Sequence, residues 1–243
     1  MQPTKPKLRF DISGYYFIGL LVLVIAGFWP SYFVKFFDGT ANFSFYFHFH
    51  AGMMMMWIFA LILQPILIKK KKLALHRLIG RMTYFLFPLI VISAVLMIHL
   101  SHEHYIDEKD LDLTLFFQFK DFILFAMAYI IAIRYRHQVE IHARAMIATG
   151  IALIEPALAR IFYNSLSGFK VFQNFFLFGN VMAILVIYLL LISLIIIERR
   201  QRRGRWVFPL VLGVFFMFNI PAIFQIHIGL EAFSRWFVAL RLT

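Results

Sequence analysis

Long apolar runs separated by short polar clusters recur along the whole chain. The stretch from Phe47 to Tyr84, FHFHAGMMMMWIFALILQPILIKKKKLALHRLIGRMTY, sets the pattern: two histidines, roughly 20 mostly apolar residues, then four lysines. A run of that length crosses a ~30 Å hydrocarbon core as one α-helix, and the lysines mark where it stops. The same reading predicts seven spans: Tyr15–Phe33, Ser44–Ile68, Met82–Leu100, Leu113–Ile133, Ala145–Leu166, Val171–Ile197 and Trp206–Ile228. Trp29 and Tyr32 are placed at the far interface with Pro30 near the helix end, and Lys69–Arg81 is read as the connector between spans 2 and 3. The expected fold is an all-α, polytopic transmembrane helix bundle. Residues 1–14 form a polar tail, 15–228 a single membrane domain, and 229–243 a short amphipathic segment at the outer surface.

Composition sharpens this. With 62% hydrophobic residues and only 15% charged, the 243-residue chain is far more apolar than a soluble domain. No cysteine is present, which excludes disulfides, thiolate metal sites, cysteine-ligated iron-sulfur clusters and cysteine nucleophiles. The net charge of +12 sits in clusters between apolar runs, where it sets orientation and meets anionic lipid headgroups, so the implied partner is a bilayer and not a nucleic acid. Seventeen of the 24 Lys and Arg residues fall in the tail and in the 2/3, 4/5 and 6/7 connections. The positive-inside rule then puts the N-terminus in the cytoplasm and, with seven spans, the C-terminus outside.

Orientation gives each polar residue a depth. His76, His137 and His142 lie at the cytoplasmic face, and His48, His50, His99, His102, His104 and His227 at the outer face. At ~1.5 Å per residue, Lys120 and Asp121 lie about 10 Å inside span 4, and Glu155 and Arg160 about 20 and 27 Å from His142. Ionisable groups at such depth face a bundle interior or a water-filled cavity, which points to the outer half as the site region.

Three constellations carry candidate chemistry. On span 2, His50, Trp57 and Gln64 recur every seven residues and share a helical face. A histidine there, with His99 of span 3 as second axial ligand and Arg160 against a propionate, would hold a b-type haem. The second is a metal set of His48, His50, His99, His102 and His104, near Met53–Met56 and Glu103, whose imidazole, thioether and carboxylate donors would suit copper or zinc. The third is the cytoplasmic pair of segments LALHRLIGR and IHARAMIATG. Here His142, Met146, Thr149 and Arg160 fall near one helical face; His76, Arg77 and Arg81 read as anchors of a tight interfacial turn relieved by Gly80, and His142 and Arg144 as anchors at the entry to span 5.

These residues also carry a resemblance. A histidine (His48 or His50) opening a helix that ends in Gln64-Pro65, then His76-Arg77-x-x-Gly80-Arg81, then His142 with Met146 and Arg160, resembles bacterial predicted membrane proteins grouped as domain of unknown function 2306. The likeness spans His48 to Arg160. It implies an all-helical protein of the bacterial cytoplasmic membrane and supplies no activity.

The leading functional expectation is an electron-transfer protein with b-type haem in the outer half on His50, His99 and Arg160. A transporter or binding protein for a metal ion or small solute, using Lys120, Asp121 and Glu155, is the alternative from another class, and a ligand-free assembly protein a third. A haem protein purifies coloured, whereas a transporter is colourless and needs its buried charges for uptake.

Overall fold

The computed structural model describes residues 10–40, 42–106, 110–166, 175–200, 203–224 and 226–243, and every regular element among them is helical. After a 3-10 turn at Phe10–Ile12 come α1 (Ser13–Phe37), α2 (Phe45–Lys69), α3 (Leu73–His102), α4 (Leu111–Arg134), α5 (Val139–Ile151), α6 (Ile154–Leu166), α7 (Phe175–Glu198), α8 (Val207–Phe224) and α9 (Glu231–Ala239). Six are long and apolar enough to cross a membrane: α1 to α4, α5 with α6 taken together, and α7. Apolar side chains at mid-helix point outward, among them Phe59, Phe85, Ile130, Leu189 and Phe216. Such a surface fits hydrocarbon, where exposure of these groups costs nothing.

Helix neighbours define a ring. Going round it, α3 packs on α2, α2 on α1, α1 on α6, α6 on α7, α7 on α8, α8 on α4, and α4 closes on α3. Inside sits α5, which touches α1, α2, α4 and α8. Burial agrees: 56% of the most apolar window of 139–165 is buried, against 17–33% in the other five spanning helices. The residues explain why this segment is central. Ala145, Ala148, Thr149 and Gly150 are fully buried, and small side chains let neighbouring backbones approach where no hydrophobic force drives association.

Two glycines on α1 show how close that approach is. A Cβ on Gly27 would overlap the carbonyl of Ala157 on α6, and one on Gly14 would lie 2.6 Å from the carbonyl oxygen of Ile62 on α2. Thus α1 is clamped to α2 at one end and to α6 at the other.

Several boundaries differ from the sequence expectation, each for a local reason. The 2/3 connection is not the thirteen-residue loop Lys69–Arg81 but a turn at Lys70–Lys72, closed by Lys71 at φ 57° and by the Lys72 N–H on the Leu67 carbonyl at 2.9 Å. Helix α3 restarts at Leu73, so His76, Arg77, Gly80 and Arg81 occupy its first three turns, and Gly80 relieves no turn. Pro30 does not end α1 either; a π-helical stretch at Trp29–Phe33 takes it in, and the helix runs on to Phe37. The fifth span starts at Val139 and breaks at Ala152–Leu153, four and three residues before Pro156, whose missing N–H leaves the helix one bond short there. Of span 6, residues 171–174 lie outside the described residues, and α7 ends at Glu198. The seventh apolar helix ends at Phe224, shorter than expected. The C-terminal segment holds α9, which packs against α3 and α4 at the end away from the lysines.

Gly27→Val should therefore lower stability by about 1–3 kcal/mol, the range for overpacking a closed contact, read as a lower melting temperature of the detergent-solubilised protein. Gly52→Val, at a glycine with open space around it, should not.

Candidate functional site

A cavity of about 590 Å³ opens at the lysine-bearing end, between α2, α3, α5 and the start of the chain. Its apolar wall comes from Phe17, Trp57, Leu61, Met146 and Ile147. Arg77, Arg81, Arg136 and His137 stand at its basic side, and Gln64, His76 and His142 reach it from three helices. The volume lies in the ~300–1,000 Å³ range of small-molecule and cofactor sites.

Polar atoms at this cavity are short of partners. Trp57 Nε1, Gln64 Oε1 and His76 Nδ1 are buried with no hydrogen bond. Gln64 is held by its other end, Nε2 donating to the His76 carbonyl at 3.2 Å. His142 Nδ1–H donates to the Ala132 carbonyl at 2.9 Å, which fixes the ring and leaves Nε2 with its lone pair. Buried unpaired polar atoms each cost about 1–3 kcal/mol, and these three belong to residues that line one cavity.

His76, Arg77, Arg81 and His142, which the sequence pattern assigned to interfacial anchoring, line this cavity together with Trp57 and Gln64 of the span-2 stripe. The expected site region, the outer half, is the other way along the bundle. Above the cavity Trp57 stands edge-on to Phe125 and Tyr129 at 4.9 and 5.3 Å, closing it off from the middle.

The middle layer brings three predicted residues together. Lys120 Nζ donates to Asp121 Oδ1 at 2.8 Å and, across helices, to Glu155 Oε2 at 2.7 Å. Phe117 and Phe215 flank the ammonium at 4.4 and 5.4 Å, so the cluster is shut away from lipid. Arg160 takes no part. Beyond the helix break it donates to the Pro156 carbonyl at 2.8 Å and lies over the Phe28 ring at 4.3 Å. The break also ends the straight face projected from His142 through Met146 and Thr149 to Arg160; Thr149 is buried and donates to the Met146 carbonyl.

The remaining histidines do not converge. His48 pairs with Tyr32 of α1 (2.8 Å), whereas His50 faces α3, with Nδ1 3.1 Å from Ser93 Oγ. His99 is buried, and both its nitrogens are taken by the C-terminal segment: Nε2 donates to the Leu240 carbonyl and Nδ1 meets the Thr243 hydroxyl, each at 2.8 Å. It thus has no free nitrogen for the expected haem. Ser93 lies six residues before His99, about 9 Å along the helix, so the two expected axial ligands also sit at different depths. His102 is likewise engaged, by the Ile98 carbonyl and Gln118, and His104 points into solvent. Met56 points outward while Met53 and Met54 pack on the core, so the methionine run makes no common site with these histidines.

One pair escaped the sequence reading. Arg144, 1% exposed, binds both carboxylate oxygens of Glu198, with Nη2 to Oε1 at 2.8 Å and Nε to Oε2. Its Nη1 donates to the Glu140 carbonyl at 2.6 Å. The pair locks the start of α5 to the end of α7. The available signal was Glu198 itself, a lone acid next to a run of arginines.

No protein-family model, curated protein sequence or solved structure matches this chain.

Glu198→Gln leaves a buried guanidinium without its counter-charge and should cost about 3–5 kcal/mol, visible as a large drop in melting temperature. The double variant Arg144→Met/Glu198→Leu should recover much of that loss, because neither charge is then stranded.

Proposed function

We propose that this multi-pass membrane protein is an electron-transfer protein holding a b-type haem in the basic-end cavity, between His76 of α3 and His142 of α5. The single observation that carries the reading is that both imidazoles line one cofactor-sized cavity, with the His142 tautomer set by the Ala132 carbonyl so that its Nε2 keeps a lone pair. The surroundings suit the group. Apolar walls would cover a macrocycle, and Arg77, Arg81 and Arg136 would neutralise its carboxylates at the headgroup level. Bound there, haem supplies one-electron chemistry; the chain fixes imidazole orientation, keeps the edge dry with Trp57 and Phe17, and meets charge with guanidinium.

This moves the haem from His50, His99 and Arg160, because His99 has spent both nitrogens on the C-terminal segment. A second reading rests on the middle layer, where two carboxylates face one ammonium. That cluster is neutral only with one further proton or cation, which suits a proton- or cation-coupled transporter.

We further infer that the lysine-bearing end is cytoplasmic, that α8 is a seventh crossing, and that the protein resides in a bacterial inner membrane as a relative of the domain of unknown function 2306 proteins. Eighteen residues of α8 give ~27 Å, close to the hydrocarbon thickness. Since the chain has no cysteine, Lys71→Cys and Arg241→Cys report topology directly. An impermeant maleimide on intact spheroplasts should label position 241 and spare 71; labelling of neither or both contradicts the seven-span orientation.

An ultraviolet-visible spectrum of detergent-purified protein, oxidised and then dithionite-reduced, tests the haem. The expected result is a Soret band that shifts on reduction, is lost in His76→Ala and His142→Ala, and persists in His99→Ala. Colourless protein from haem-replete cells overturns the proposal and leaves the transport reading, in which Glu155→Gln should abolish coupled uptake.

A further inference from the structure

At the end of the bundle remote from the lysines, Asp112 stands in the first turn of α4, His227 follows α8, and Glu231 opens α9. One ligand atom from each lies within 4.8 Å of the others. We propose that these three side chains form a binding site for a divalent cation of the zinc class, and that the ion staples the C-terminal helix to the bundle.

The arrangement is more than a helix start with an acid on it. Asp112 is buried (1% exposed), yet its Oδ2 has no hydrogen-bond donor. An acid placed only to complement a helix N-terminus would use that oxygen on backbone N–H groups. His227 Nδ1 is 3.4 Å from Asp112 Oδ1, long for a charge-assisted hydrogen bond. It is instead near the ~3.4 Å edge of a tetrahedron whose ligands lie ~2.0–2.1 Å from a central Zn²⁺.

Charge points the same way. Asp110 Oδ1 lies 3.6 Å from His227 Nε2, so three carboxylates gather around one imidazole. A divalent cation relieves that repulsion. A mixed imidazole and carboxylate donor set suits Zn²⁺ or a similar first-row ion, whereas Mg²⁺ and Ca²⁺ prefer all-oxygen shells. His227 and Glu231 are exposed at the rim, so an ion reaches the site from water while Asp112 anchors it from within.

The site lies between α4 and α9, and the residues just past α9 carry the Leu240 carbonyl and Thr243 hydroxyl that hold His99. An ion here fixes the segment that seals this end. None of these three residues belongs to the histidine set first considered for metal.

The test uses full-length protein stripped with chelator and titrated with Zn²⁺ by calorimetry in detergent, with Mg²⁺ as control. The proposal expects one Zn²⁺ per chain, a melting temperature raised by saturation, and affinity at least about tenfold weaker in His227→Ala and Asp112→Asn. His104→Ala, at an exposed histidine outside the cluster, should leave affinity unchanged. No binding, unchanged affinity in both site variants, or loss in His104→Ala instead overturns it. Because Asp112→Asn is isosteric and His227 is about half exposed, a retained melting profile without metal separates lost binding from failed folding.

Discussion

Inside a lipid-facing bundle a charge has only protein to turn to, and the buried ion pairs of this chain are where its helices are fixed in register. Lys120 has two carboxylates within 2.8 Å, one on its own helix and one on α6; Arg144 has Glu198 from α7 and the Glu140 carbonyl. Each cation therefore joins segments that apolar packing alone would let slide. Close packing supplies the rest. Gly14 and Gly27 bring α1 against its neighbours, and the small residues of α5 place that helix at the centre of the ring.

The two ends of the bundle differ in the same physical terms. At the lysine-bearing end, polar atoms of Trp57, Gln64 and His76 lack partners around an apolar cavity with arginines at its mouth. At the other end His99 and His102 have every ring nitrogen bonded, and Phe237 of α9 meets the His99 ring. The first end opens onto a cavity, and at the second the last residues of the chain cover His99. The aromatic layer of Trp57, Phe125 and Tyr129 stands between the cavity and the middle charges, so chemistry in one is insulated from the other.

Much of the site was present in the sequence as residue types, and little of it as a place. Depth could be counted along each span, and it grouped Lys120, Asp121, Glu155 and Arg160, of which the first three meet and Arg160 stands apart. Rotation about each helix axis could not. His48 and His50 differ by two residues and so face opposite neighbours, Tyr32 and Ser93. His99 looked like a ligand until the last residues of the chain folded back over it. The motif at His76–Arg81 read as a turn because the four lysines suggested a long polar connector. In fact a left-handed Lys71 reverses the chain in three residues, and the motif becomes the cavity-facing start of a helix.

By itself the sequence determined the class of protein, the position of nearly every apolar helix and the end on which basic charge collects, because these follow from hydrophobic length and local charge. Burial of Lys120 and Glu155 was also legible, since an ionisable residue deep in an apolar run has nowhere else to go. Only the tertiary structure decided which side chains share a cavity, which histidines are already spent, and that Arg144 meets Glu198 across 54 residues. Those outcomes depend on helix rotation, on the break before Pro156 and on the return of the C-terminal segment. Each is set by contacts between residues far apart in the chain, and a one-dimensional pattern of polar and apolar positions carries no record of them.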